Sequence, residues 1–357
     1  MQQSQINKMG EFERIAKFLT PLTHGNHHAL GLCDDVAMLP PIKPNQCHLT
    51  SKDMLVEGVH FLRHSDPFLL AQKLLCVNLS DLAAKGATPL CYMLGLGLTD
   101  DCSDEWLARF CAGLAKIQHD YGLYLLGGDS VSCPNDISLA VTIIGESATD
   151  CRDRPLFLTR HGAKAGDDLY VSGVIGDGHL GLLYAQQRPL ISILDLEQQA
   201  LLRKAYETPS ARIDHGLGLI HLLNANHYTH EDHAICALDV SDGLLADIGH
   251  LIDGAAQQGL GATVDLPRIP LSAAAAKLIA EDMGLLLDLI TGGDDYELVF
   301  CARPQLSPQL ETLSQHLPLY HIGKITAADT PITLLDRDGF TVPYDRTGWD
   351  HRPKQAH

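Results

Sequence analysis

DPFLLAQKLLCVNLSDLAAKG, residues Asp66 to Gly86, is the stretch around which the rest of the chain is organised, and it reads as one helix with a carboxylate on its apolar side. Asp66 offers an N-cap oxygen, Pro67 suits the first turn, and Gly86 is able to leave the helix left-handed. Leu70, Leu74, Val77, Asp81 and Ala84 recur at helical spacing and share one stripe. A lone ionised carboxylate on a core-facing stripe is costly unless it is paired or bound to metal. The pattern therefore predicts a partner for Asp81 elsewhere in the chain, the plainer reading being an Asp that caps or reaches water.

Length and composition bound the answer. A chain of 357 residues suggests about two domains, and 45% hydrophobic with 20% charged residues is ordinary for a globular protein. No apolar run is long enough to span a bilayer, and the polar N-terminus lacks a secretory pattern, so a cytoplasmic location is expected. The ten cysteines are irregularly spaced and never form C-x-x-C, which reads as reduced thiols. A formal charge of −18 argues against nucleic-acid or membrane partners and suits divalent cations. His24, His27 and His28 cluster in a loop, without a carboxylate or Cys at ligand spacing beside them.

Along the chain, a short helix around Phe12 to Leu19 is expected to stop at Pro21, and Leu30 to Leu39 alternates around Asp34 and Asp35. A brief strand, His48 to Ser51, runs into Lys52 and Asp53. After the Asp66–Gly86 helix come a strand over Pro89 to Leu98 and a helix over Trp106 to Tyr121. Leu123 to Leu126 forms a short strand delivering Gly128 and Asp129, and Ile137 to Gly145 another. Ser147 to Pro155 reads as a linker, dividing residues 1–150 from 151–357. The second part offers strands at Asp168 to Ser172, Ala234 to Leu238 and Tyr296 to Cys301. Helices are expected over 196–206, 211–223 and 272–283, with one lined by Leu244, Ile248, Leu251 and Ile252, and a hairpin turns at Arg337-Asp338-Gly339. The fold class is mixed α/β, with helices covering one or both faces of two sheets.

Five stretches share one design, in which an apolar strand or helix ends near Gly or Ser and presents Asp at its tip: Asp34 and Asp35, Asp53, Asp81, Asp129, and Asp239 with Asp242. A single case would be a turn residue. Strand tips in α/β proteins gather on one edge, so these carboxylates are expected to converge. Two carboxylates about 4 Å apart repel by roughly 4 kcal/mol at an effective dielectric of 20, and hard divalent cations relieve that repulsion. Mg²⁺ prefers such oxygens and is commonly shared with substrate phosphates, while neighbouring glycines let backbone N–H groups approach them. No G-x-x-x-x-G-K-[ST] is present. GDGHLG, Gly176 to Gly181, does satisfy the dinucleotide fingerprint, with Asp195 beyond it, and keeps a dinucleotide-dependent oxidoreductase as an alternative.

The blocks GLCDDVAML, TSKDMLVEGVHF, VNLSDLAAKGATP, LLGGDS, FLTRHGAKAGD, LDVSDGLLADIGH, TGGDDYEL and GWDH together resemble thiamine-monophosphate kinase, in order from about Gly10 to His351. That family belongs with aminoimidazole ribonucleotide synthetase and selenophosphate synthetase, and another ATP-using member is the nearer alternative. The resemblance implies transfer of the ATP γ-phosphoryl group to thiamine monophosphate. It implies an N-terminal α/β domain that binds ATP and Mg²⁺ and pairs in a homodimer, and a C-terminal α/β/α domain that completes the active site. Position by position, it implies Mg²⁺ ligands at Asp35, Ser51, Lys52 through its backbone, Asp53, Asp81, Asp129, Asp239 and Asp242. It further implies ATP contacts at Gly128, Asp129, Arg160 and Ser241, and thiamine monophosphate contacts at His60, Asp294 and Trp349. Three positions depart from the family pattern: Lys52 stands for a usual Ser or Thr, Cys33 for Gly, and Asp294 for Glu.

Overall fold

The computed structural model describes residues 9–255, 259–327 and 331–348, and its contacts divide the chain into two compact units. The first comprises the chain up to Leu79 with Pro89–Glu146; the second comprises Ser80–Thr88 with Ser147 onward. The expected linker begins at this division, and part of it is ordered, as the small antiparallel pair β5–β6 described below.

The first unit opens on α1 (Glu11–Arg14), which runs through a wider turn, Ile15–Leu19, into a 3₁₀ turn, Thr20–Thr23. Pro21 does not stop the helix because it lies in the first turn of the tighter segment, where no N–H is needed. The Leu30 to Leu39 segment forms no strand. Leu30, Gly31 and Leu32 all have positive φ, so the chain curls where the alternating pattern suggests extension. Next come β1 (His48–Val56), α2 (Pro67–Lys85), β2 (Thr88–Leu98), α3 (Asp104–Tyr121), β3 (Tyr124–Ser132) and β4 (Ser138–Glu146). The four strands form one sheet in the order β1-β4-β2-β3, with β1 and β4 antiparallel and β2 and β3 parallel.

The ends of α2 are those the sequence marks. Asp66 Oδ1 accepts the Phe68 N–H at 2.9 Å, and Gly86 turns out with φ +61°. Its packing differs from a single stripe, since every residue from Leu70 to Ser80 is buried and burial relaxes only at Asp81. A helix buried all round lies in an interior, and from Ser80 on the residues of α2 belong with the second unit. Gly113 of α3 makes one close approach possible, because a Cβ there would lie 2.2 Å from the Phe68 carbonyl oxygen.

The second unit contains β5 (Ala148–Thr149), β6 (Pro155–Leu156), β7 (Asp168–Ser172), α4 (Asp177–Ala185), α5 (Leu196–Glu207), α6 (Ile213–Ala225), β8 (Ile235–Asp239) and α7 (Leu244–Asp253). It continues with β9 (Leu260–Asp265), α8 (Ala273–Glu281), α9 (Leu285–Ile290), β10 (Leu298–Ala302), α10 (Ser307–Ser314), β11 (Leu319–Ala327), β12 (Ile332–Leu335) and β13 (Thr341–Val342). Among the described residues its main sheet has seven strands in the order β13-β12-β9-β11-β7-β10-β8, and only β12–β9 is parallel. Alternate residues of the central strands feed opposite layers. Leu169, Val171, Cys236, Leu238, Val299 and Cys301 pack with α7, whereas Tyr170, Ala237 and Phe300 pack with α6 and α10. This is an α/β/α sandwich, and the chain as a whole is mixed α/β.

Candidate active site

In the second unit the site is built on the end of β8. Asp239 ends the strand, and the chain passes through Val240, Ser241, Asp242 and Gly243, with φ +122° at Gly243, into α7. Asp247, in the first turns of α7, turns its carboxylate back on this loop: Oδ2 accepts the N–H of Ser241 at 3.1 Å and of Asp242 at 3.2 Å. Burial, reinforced by the Asp239 and Asp242 carboxylates, pushes the Asp247 carboxyl up to about 8. Ligand atoms of Asp242, Asp247 and His250 lie within 4.8 Å of one another. A carboxyl raised first by burial and then by two neighbouring carboxylates marks a local excess of negative charge, and carboxylate oxygens gathered in this way fit a hard divalent cation.

Lys85, one turn beyond Asp81 on α2, lies in the same field. Its Nζ donates to the Ala237 carbonyl oxygen at 2.9 Å. Burial lowers its pKa most, Asp239 opposes that, Arg160 lowers it further and Asp81 raises it. Asp81, Arg160 and Asp239 thus all act on one ammonium.

Beside the Ser241–Asp242 loop runs TGGDDY, residues 291–296. The Asp294 N–H donates to Ser241 O at 3.0 Å, and the Tyr296 N–H to Val240 O at 2.8 Å. Asp294 and Tyr296 both take left-handed conformations, with φ +71° and +51°, and the Tyr296 hydroxyl donates to Asp294 Oδ1 at 3.0 Å. Two left-handed residues other than Gly this close together are strained positions that the surrounding hydrogen bonds hold in place.

In the first unit, Asp35, Gly128 and Asp129 line a cavity of about 690 Å³ together with Asp34, Gly127 and residues of α1. Gly128 is glycine for packing as well, since a Cβ there would lie 2.0 Å from the Leu94 carbonyl oxygen. Asp53 and Asp129 stand inside strands and not at strand tips, because partner strands continue the ladder past them. Period-two alternation turns Ser51 and Asp53 to the covered face of β1, where the Asp53 N–H donates to Asn78 Oδ1 at 3.0 Å, while Lys52 projects from the open face beside Met54. Only the Lys52 backbone is therefore on offer where Ser51 and Asp53 point. His60 is half-buried, and its Nδ1 accepts the Val56 N–H at 3.0 Å, which leaves Nε2 to carry the proton. Trp349 lies outside the described residues.

GDGHLG is not a dinucleotide loop. The N–H groups of Gly176 and Gly178, which would face a pyrophosphate, donate at 2.8 and 3.0 Å to the carboxylate of Asp295. The strand before it, β7, has antiparallel neighbours on both sides, so no parallel βαβ unit exists there. The oxidoreductase reading falls on both counts. The residues 33–147 match the family model for AIR synthase related protein, N-terminal domain. Over 348 residues, 96% of this chain and 98% of the relative, the sequence is 35% identical to thiamine-monophosphate kinase of Escherichia coli K12.

The chain belongs to the thiamine-monophosphate kinase family.

As a member of that family it is a kinase. The crystal structure of thiamine-monophosphate kinase from Stenotrophomonas maltophilia K279a superposes with a TM-score of 0.74 at 32% identity, covering 90% of this chain and 95% of that one. AaThiL complexed with AMPPCP and TMP gives a TM-score of 0.70 at 26% identity, covering 88% and 90%. Asp247, Lys85 and Asp295 carry none of the family roles assigned from sequence. For Asp247 a signal was present, since it interrupts the apolar face of α7 as Asp81 interrupts that of α2.

Metal-free protein is expected to lose stability as pH rises. A carboxyl pushed up to about 8 in the fold keeps a proton that the unfolded chain, with Asp near 3.9, has already released. The folded state then binds more protons between about pH 4 and 8, and stability declines across that window. Melting temperatures from pH 5.5 to 8.5 in chelator should fall less steeply for Asp247→Asn than for wild type. Equal slopes would show that Asp247 does not titrate in this way.

Proposed function

We propose that this kinase transfers the γ-phosphoryl group of ATP directly to thiamine monophosphate, giving thiamine diphosphate and ADP, with Mg²⁺ held by its clustered carboxylates. The observation that carries the reading is the carboxylate excess around Asp239, Asp242 and Asp247 in a chain of this family. AMPPCP and TMP on AaThiL support ATP and thiamine monophosphate as the two substrates. Asp81, Asp239 and Asp242 in the second unit, and Asp35, Ser51, the Lys52 backbone, Asp53 and Asp129 in the first, are the proposed holders of the metal. When bound, Mg²⁺ neutralises phosphate oxygens that would otherwise repel one another.

The chain's own residues do the rest. Gly128, Asp129, Arg160 and Ser241 are assigned to ATP, and the exposed Arg160 suits a phosphate. His60 offers its Nε2 proton to the acceptor phosphate, and Asp294 and Trp349 complete the acceptor side. No general base is required, because a phosphate monoester with a second pKa near 6 is already ionised at pH 7. A thermal-shift screen with Mg²⁺ plus a non-hydrolysable ATP analogue, thiamine monophosphate or NAD tests the reading. A ligand at about 100 times its Kd stabilises by roughly 2.7 kcal/mol. A Mg²⁺-dependent shift with the ATP analogue and none with NAD is expected; a shift with metal alone and no response to nucleotide would indicate a metal-binding protein that is not a kinase.

A homodimer is part of the same proposal. Met54, Met93 and Val131 are exposed on β1, β2 and β3, and Ala140 on β4 is half-buried, giving the sheet an apolar open face. Light scattering should give twice the chain mass for wild type and the chain mass for Met54→Glu/Met93→Glu. A monomeric wild type at micromolar concentration would end the dimer proposal.

A further inference from the structure

GDGHLG is left without a ligand by the proposed kinase reaction, yet two of its backbone amides and the close approach at Gly178 are taken up by the loop that carries Asp294. Asp295 takes the N–H groups of Gly176 and Gly178. A Cβ on Gly178 would lie 2.1 Å from the Asp294 carbonyl oxygen, so only glycine lets that backbone sit there. On the other side of the same turn, a Cβ on Gly292 would lie 2.6 Å from the His179 ring. The loop is clamped from the opposite direction by Ser241 O and Val240 O, which accept the Asp294 and Tyr296 N–H groups. Between these two clamps the backbone is forced into its pair of left-handed residues, and the Tyr296 hydroxyl fixes Asp294 Oδ1 at 3.0 Å.

We propose that Asp295, seated on the Gly176 and Gly178 amides, is a positioning residue that sets the Asp294 carboxylate for the acceptor, with the Tyr296 hydroxyl fixing its rotamer. The proposal rests on the acceptor role assigned to Asp294. The glycine-rich turn serves as an internal socket for a carboxylate of the chain itself, and the strain at Asp294 and Tyr296 is held by that socket. Asp294 has an arm one methylene shorter than the usual Glu, so its reach depends on backbone placement more than a longer side chain would.

The test is steady-state kinetics of the full-length enzyme with each substrate varied in turn. Asp295→Asn puts an amide N–H₂ group where a carboxylate oxygen faces a backbone N–H, and should raise KM for thiamine monophosphate roughly tenfold or more while KM for ATP stays within about twofold. Tyr296→Phe leaves the backbone clamps in place, keeps the test available if Asp295→Asn does not fold, and should raise the same KM by about three- to tenfold. Asp294→Ala is the reference. If it raises KM for thiamine monophosphate while neither other variant does, Asp295 and Tyr296 do not position it and the inference is overturned. Loss of kcat with both KM values unchanged would show a merely structural role. If Asp294→Ala leaves KM unchanged, the acceptor assignment itself is wrong, and the inference falls with it.

Discussion

Asp81→Asn is expected to remove turnover and to leave the metal-free fold standing. Asp81 is half-buried near the end of α2, where burial first relaxes after eleven consecutive buried residues from Leu70 to Ser80. The substitution keeps the side chain's shape and removes one anionic oxygen. Loss of one preorganised electrostatic contact typically costs about 10²–10³ in kcat, and a metal ligand belongs at or above the top of that range. Stability responds differently, because Lys85 keeps its bond to Ala237 O and the field of Asp239 when Asp81 is neutral. The melting midpoint should move by no more than about 1 kcal/mol in stability, as for a substitution that opens no cavity. Near-normal rates at saturating Mg²⁺ would remove Asp81 from the ligand set. Collapse of the fold would show that the Asp81 charge is needed for folding.

Acceptor choice carries the second large effect. Thiamine monophosphate brings an ionised nucleophile, whereas unphosphorylated thiamine offers an alcohol that must lose a proton as it reacts. General base catalysis is worth about 10²–10⁴-fold, and no base is assigned in this site. kcat/KM for thiamine monophosphate should therefore exceed that for thiamine by at least about 10²-fold. Trp349→Ala should raise KM for thiamine monophosphate by about five- to thirty-fold, the equivalent of a cation–π or stacking contact of roughly 1–2 kcal/mol, with little change for ATP. Comparable kcat/KM for the two acceptors would mean that a base operates here and that the acceptor has been misassigned.

What could be read from the sequence was local. The ends of α2 are marked by an N-cap side chain at Asp66 and a left-handed glycine at Gly86, and the structure keeps both, whereas the Ser103 cap that opens α3 before Trp106 emerges only in the structure. The placement of Asp239, Ser241 and Asp242 between the end of β8 and the start of α7 was legible because strand, loop and helix follow one another there within a few residues. Asp53 and Asp129 looked like strand ends because Asp and Gly usually punctuate strands, but β4 and β2 offer ladder partners that carry β1 and β3 past them. Strands β9 and β11 were not foreseen; β11 mixes Lys, His and Gly among its apolar residues and shifts register between His321 and Gly323. An Asp early in a helix ordinarily answers the helix dipole, which masks the signal that Asp247 gives by interrupting the apolar face of α7. The GDGHLG match failed for another reason: the carboxylate that fills it comes from Asp295, more than a hundred residues along the chain.

The central claim is Mg²⁺-dependent phosphoryl transfer from ATP to the phosphate of thiamine monophosphate. Phosphorus NMR of purified protein with both substrates, with Mg²⁺ and then with excess chelator, tests it most directly. The resonances of thiamine diphosphate and ADP should grow in equal amounts as those of ATP and thiamine monophosphate decline, and chelator should stop all four changes. Release of inorganic phosphate with thiamine monophosphate unchanged, or equal rates in chelator, would contradict it.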